Sequence, residues 1–111
     1  MVARVTRYKI RPGMMEEFVI TMQDLIPAMD KLHGFRALVI LRGEEIESRD
    51  AMSISVWNST ADMNNSENDD FYYKGLMRLM KCCESFSPGR GQEVLLSKFA
   101  NPSEESRAAG L

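Results

Sequence analysis

Three groups of side chains in this sequence could carry chemistry: two adjacent thiols (Cys82, Cys83), a single imidazole (His33), and polar and aromatic residues around Arg4, Thr6, Tyr8 and Tyr72. The thiols exclude more than they allow. Neighbouring Cα atoms sit only ~3.8 Å apart, below the ~4.4–6.8 Å that disulfides usually span, so a bridge between them would be strained. Without a nearby histidine or a second cysteine pair they also make a poor zinc site, and they read as packing residues of a helix. His33 reads as a cationic or hydrogen-bonding residue at a helix C-terminus. Trp57, the only tryptophan, closes the run "SISVW" and is either core or one wall of a binding site; its indole N–H needs a partner in both cases. Arg4, Thr6 and Tyr8 fall on one face of a strand by alternation, so they could act together.

The elements that must position these groups follow from periodicity. Residues 2–11 alternate and predict a strand, ended by Pro12-Gly13. Met15, Phe18, Met22, Leu25, Met29 and Leu32 then recur at helical spacing on one stripe. Pro27 inside that stripe should kink or divide the helix, because it lacks a donor and crowds the preceding turn. Gly34 should close it. "FRALVIL" (35–41) and "AMSISVW" (51–57) predict two strands that pair antiparallel. Ser59 or Thr60 can cap a short helix over 60–66. Asp69 or Asp70 can cap a longer one, in which Tyr72, Leu76, Leu79 or Met80, and Cys83 share a face. Ser87-Pro88-Gly89 is expected to break the chain, and "EVLLSKF" (93–99) to form the last strand.

The order βαββαβ predicts a ferredoxin-like α+β fold, a four-stranded antiparallel sheet with its helices on one face. Residues 1–99 make one domain and residues 100–111 a polar C-terminal tail. The helix-free face should meet water, yet strands two and four offer apolar residues on both faces, and strand one adds Val5. A second copy of the chain is the expected cover, giving a homodimer with sheets packed face to face.

Composition narrows the partners. A chain of 111 residues, 44% apolar and 27% charged, fits one globular domain. Fourteen basic and sixteen acidic residues leave a net charge of -2 with no Lys/Arg block, so nucleic acid is not expected as a partner. No stretch approaches the ~20 apolar residues that span a bilayer, and the opening "MVARVTRYKI" carries charges where a secretory signal needs an apolar run. The expected location is the cytoplasm, with no membrane contact.

"RYKIRPGMMEEF", "HGFRALVIL" and "MSISVWNSTADM", followed by "FYYKGL", occur in the order and spacing of the antibiotic biosynthesis monooxygenase domains, and the resemblance extends to about Phe99. It implies a dimeric α/β barrel with a ligand cavity in each subunit between sheet and helices. Members of that family oxidise quinol-like or polycyclic aromatic molecules with molecular oxygen and no metal or flavin, degrade heme, or process small signalling molecules. Many have no known activity. An ungapped carry-over places Thr6, Ser66 and Leu76 where the heme-degrading branch has Asn, Trp and His, so heme degradation is not expected; Leu76 offers iron no donor. The quinol-oxidising branch uses Asn, Trp and Tyr around the second helical region, where this chain has Asn64 or Asn65, Ser66 and Tyr72.

The resemblance thus implies a catalytic group of Tyr72, Thr6 and Arg4, and a small aromatic ligand in a pocket that also takes in Tyr8, Trp57, Asn64, Asn65, Ser66 and Leu76. No cofactor is expected. A phenol that loses its proton becomes a better one-electron donor to oxygen. The protein then need only supply a dry, aromatic-lined cavity and a partner for the phenol oxygen. The alternative is a non-catalytic small-molecule binder or structural dimer of the same fold.

Overall fold

The computed structural model describes residues 1–98. The elements run β1 (Val2–Ile10), α1 (Met15–Asp30), β2 (Phe35–Arg42), β3 (Asp50–Trp57), α2 (Thr60–Asn65), one 3-10 turn (Ser66–Asn68), α3 (Asp70–Met80) and β4 (Cys83–Glu93). All strand pairs are antiparallel, in the order β2-β3-β1-β4. This is the ferredoxin-like α+β fold that the element order predicts.

Helices α2 and α3 start where the sequence supplies a cap, whereas α1 begins after Met14 with no side-chain cap. The Ser59 hydroxyl accepts the Asp62 N–H at 3.1 Å, and the Asp69 carboxylate accepts the Tyr72 N–H at 2.8 Å, satisfying donors that a helix N-terminus leaves free. Of the paired cap candidates, the earlier residue is used both times. Helix α1 buries Phe18, Thr21, Met22, Leu25 and Met29 on its sheet side. Pro27 does not divide it, because the proline falls in the last turn, where few residues remain to be disturbed. Gly34 takes a left-handed φ of 80°, and a side chain there would overlap Asp62. The core joins α1 to Tyr8, Ile10, Trp57, Met63 and Leu79, with Tyr8 set edge-on to Phe18 at 5.0 Å between ring centres.

The last strand departs from expectation. β4 runs straight through Ser87-Pro88-Gly89, and 94–98 form no strand. Two features make this possible. β4 lies at the sheet edge, where a missing N–H is tolerated, and a bulge lies between the pairs Arg4 with Gly91 and Thr6 with Pro88. In that bulge a Cβ on Gly89 would overlap the Val5 carbonyl, so glycine allows the close approach. After β4 the Val94 N–H reaches the Met1 carbonyl at 3.0 Å, and Leu95 and Leu96 stand exposed. Phe99 and the expected tail at 100–111 lie outside the described residues. The two cysteines are also displaced. They are buried free thiols, but Cys82 follows α3 and Cys83 opens β4, so neither packs as a helix residue.

The two faces of the sheet differ in their cover. Tyr8, Ile10, Ala51, Ser53 and Trp57 lie under the helices. The opposite face carries a row in which Val5 pairs with Ile54 and Ile54 with Val39, flanked by Ala3, Val56 and Ala37 on one side and Met52 and Leu41 on the other. Val39 and Leu41 remain 41% and 45% exposed, so among the described residues nothing covers this face.

Candidate functional site

Four elements enclose a cavity of about 260 Å³ between the sheet edge and α3. β1 supplies Arg4, Thr6 and Tyr8, which share a face because they alternate. β4 sets Pro88 opposite Thr6 and Phe86 opposite Tyr8. α3 adds Tyr73, Leu76, Met77 and Met80, spaced as one helical stripe, together with Leu79. The 3-10 turn contributes Glu67. Larger hollows of about 410 and 530 Å³ lie around Arg42 and Asp50, and around Arg11, Glu47 and Arg49. Charged side chains make up a larger share of their linings, Arg7, Arg42 and Asp50 in the first and Arg11, Glu16, Arg42, Glu47 and Arg49 in the second, whereas an aromatic ligand needs apolar walls with a few placed polar atoms.

The polar end of the cavity is built on Arg4. Its Nη1 donates to Glu67 Oε1 at 2.9 Å and its Nη2 to Asn64 Oδ1 at 3.5 Å, while its Nε is buried without an acceptor. The Tyr8 hydroxyl shares a hydrogen bond with Ser53 Oγ at 2.9 Å. Burial pushes the Tyr8 phenol up, with the Ser53 and Thr6 hydroxyls acting in the opposite sense. Tyr72 is pushed up to about 12, mainly by burial and secondly by the Tyr8 phenol, with the Arg4 guanidinium pulling the other way. Both phenols are thus held in their protonated form at neutral pH.

Of the residues singled out in the sequence, Arg4, Thr6, Tyr8 and Leu76 line this cavity. Tyr72 does not. It packs against the core and senses Tyr8 and Arg4 electrostatically. Trp57 is core as well, which corrects its grouping with the pocket: it is 1% exposed, stacks edge-on against Phe35 at 5.4 Å, and donates its indole N–H to Ser55 Oγ at 3.0 Å. Ser66 is buried but spends its hydroxyl on the Met63 carbonyl at 2.6 Å, and it too lies outside the lining. Asn64 and Asn65 are exposed, and only Asn64 reaches the site, through Arg4. His33 stands apart from the cavity and bonds Asp62 Oδ1 through Nδ1 at 2.7 Å.

Tyr73, Met77 and Met80 are lining residues that the sequence reading missed. Their signal was present, since 73, 76, 77 and 80 form a helical stripe beside the one that carries Tyr72 and Leu79. Glu67 gave no periodic signal, because it belongs to a three-residue turn.

A family model described as antibiotic biosynthesis monooxygenase matches residues 1–73. The chain belongs to that family. No curated protein matches it. Among solved structures, SnoaB, a cofactor-independent oxygenase from Streptomyces nogalater, superposes with a TM-score of 0.70 at 14% identity, covering 86% of this chain and 97% of the other. A protein of unknown function from Nitrosomonas europaea gives a TM-score of 0.71 at 15% identity over 90% of this chain and 94% of that one. A conserved protein from Methanosarcina mazei gives 0.68 at 14% identity, over 80% and 90%. At these identities the likeness establishes the fold, and the choice of activity has to come from the site.

Proposed function

We propose that this protein is a cofactor-independent monooxygenase that oxidises a small aromatic or quinol-like molecule with molecular oxygen. The observation that carries this reading is the cavity itself, whose lining is mostly apolar and aromatic, with the hydrogen-bonding groups of Arg4 and Thr6 on its strand wall. Its volume of about 260 Å³ lies just under the roughly 300–1,000 Å³ of drug-sized ligand pockets, which suits one or two fused rings.

The substrate's rings lie among Leu76, Met77, Met80 and Phe86, and its oxygen takes a hydrogen bond from Arg4 or Thr6. Tyr72 does not touch the substrate; packed on the core, it backs Arg4 and Tyr8 from the helix side and acts as a positioning residue. Donors placed on the phenol oxygen favour loss of its proton to water at the mouth. The phenol passes one electron to dioxygen as that proton leaves, so no lasting anion forms beside Glu67, and the radical pair recombines and takes a proton back to give a carbon-bound hydroperoxide. Loss of water then leaves a new carbonyl. One oxygen atom enters the product, the other leaves as water, and the substrate supplies all the electrons, so the sequence needs no further reductant.

The same reading places the protein in the cytoplasm as a homodimer, with a second copy over the row Val5, Ile54 and Val39. Burying that face removes apolar surface from water at roughly 25 cal/mol per Å². No described helix is long and apolar enough to cross a membrane. The domain boundary is set at residue 99, with 100–111 as an appended tail.

Oxygen-18 labelling tests the chemistry: under labelled gas one labelled atom should enter each product molecule, and unlabelled product would overturn the reading. If the cavity binds aromatic molecules but turns none over, the protein is a binder of the same fold.

A further inference from the structure

Among the described residues eleven line the cavity, and of these only Arg4 and Glu67 carry a full charge. Those two are bonded to each other at 2.9 Å. Arg4 is largely withdrawn, with 23% of its side chain exposed, whereas Glu67 sits at the rim with 56% exposed. The guanidinium has five N–H donors and no acceptor, and in this arrangement two nitrogens are directed at Glu67 and Asn64. The polar end of the cavity is therefore hydrogen-bonding but close to neutral.

That balance discriminates between ligands of the same shape. An ion leaving water for an apolar cavity is strongly disfavoured unless an opposite charge receives it. A carboxylate entering here would meet a guanidinium already neutralised, and would bring a second negative charge beside Glu67. A phenol brings no charge, and its oxygen can accept from Thr6 or from a guanidinium N–H that Glu67 does not use. We infer that Glu67 sets the charge preference of the site: as the fixed counter-ion of Arg4 it admits neutral hydroxyaromatic molecules and turns away aromatic carboxylates of equal size. Glu67 is thereby a specificity-determining residue, and the inference rests on the proposal that the cavity takes an aromatic ligand.

The test uses 1-naphthol and 1-naphthoate, two-ring fluorescent probes of similar size, one neutral and one anionic at pH 7, titrated against the full chain. Wild type should bind the naphthol more tightly. Glu67→Gln, which keeps size and polarity while removing the charge, should shift the naphthol-to-naphthoate preference roughly tenfold toward the carboxylate. Added salt should shrink that shift, because Glu67 is at the rim. Arg4→Met in the Glu67→Gln background should abolish it, which a merely structural role for Glu67 would not produce. Naphthol binding with the same preference in wild type and Glu67→Gln would overturn the role of Glu67 while leaving the aromatic cavity standing. If neither probe binds either protein, the aromatic reading falls and the inference falls with it.

Discussion

Leu25 of α1 occupies the space that a side chain on Gly75 of α3 would need: a Cβ at residue 75 would overlap the Leu25 side chain. The two helices touch through this contact, and α3 is held with Tyr73, Leu76, Met77 and Met80 toward the cavity. In an uncrowded helix, Gly→Ala would stabilise by about 1 kcal/mol. Here the overlap should win, and Gly75→Ala should destabilise by about 1–3 kcal/mol, read as a lower urea midpoint. A higher midpoint would show that the helices are not packed this closely.

His33 and Asp62 join the end of α1 to α2, with the imidazole Nδ1 2.7 Å from the carboxylate. That hydrogen bond, with smaller help from Ser59, holds the Asp62 carboxyl below its ordinary pKa. A depressed folded pKa stabilises above the unfolded value of ~3.9 and loses that contribution as pH falls through the folded one. Removing the partner in His33→Ala should therefore lower Tm at pH 7, with the deficit closing toward pH 2. An equal deficit at both pH values would assign the loss to packing.

Ile54 is the middle residue of the uncovered row, paired with Val5 on one side and Val39 on the other. Light scattering at micromolar concentration should give about twice the chain mass for wild type. Ile54→Glu should bring it to a single mass with the circular dichroism spectrum kept, because a buried charge without a partner is disfavoured. A monomeric wild type would remove the case for a covered second face.

Heme should not bind as a ligated cofactor. Leu76 lines the cavity without a donor atom, and the single histidine lies away from it against Asp62. Mixing with hemin and gel filtration should leave no sharp Soret band. A band that survives in His33→Ala would identify a ligand elsewhere.

Much of this was legible in the sequence, because the strong signals were periodic. The α1 stripe, the alternation of β1 and the apolar runs of β2 and β3 each fixed an element, and the α1 stripe its buried face as well. β4 was misplaced because proline and glycine are local signals of a break, whereas their tolerance at an edge bulge depends on which strand lies beside them. Arg4, Thr6 and Tyr8 could be grouped by alternation alone. Tyr72 and Tyr73 could not be told apart the same way, since adjacent helical residues point about 100° from each other and only the packing of Gly75 on Leu25 decides which faces the sheet edge. Trp57 was ambiguous for a similar reason: nothing in the sequence shows that its N–H finds Ser55, two residues back on the same strand.

Oxygen-dependent turnover in the cavity between α3 and the sheet edge can be read with an oxygen electrode. Uptake would be followed with 1-naphthol, naphthohydroquinone and anthrone, comparing wild type with Thr6→Val, Tyr72→Phe and the cavity-filling Met77→Trp. Protein-dependent uptake is expected with at least one substrate, falling roughly tenfold or more in Thr6→Val, less in Tyr72→Phe, whose hydroxyl does not touch the substrate, and to none in Met77→Trp. No protein-dependent uptake with any of these substrates, or equal rates in all four proteins, would contradict turnover in this cavity.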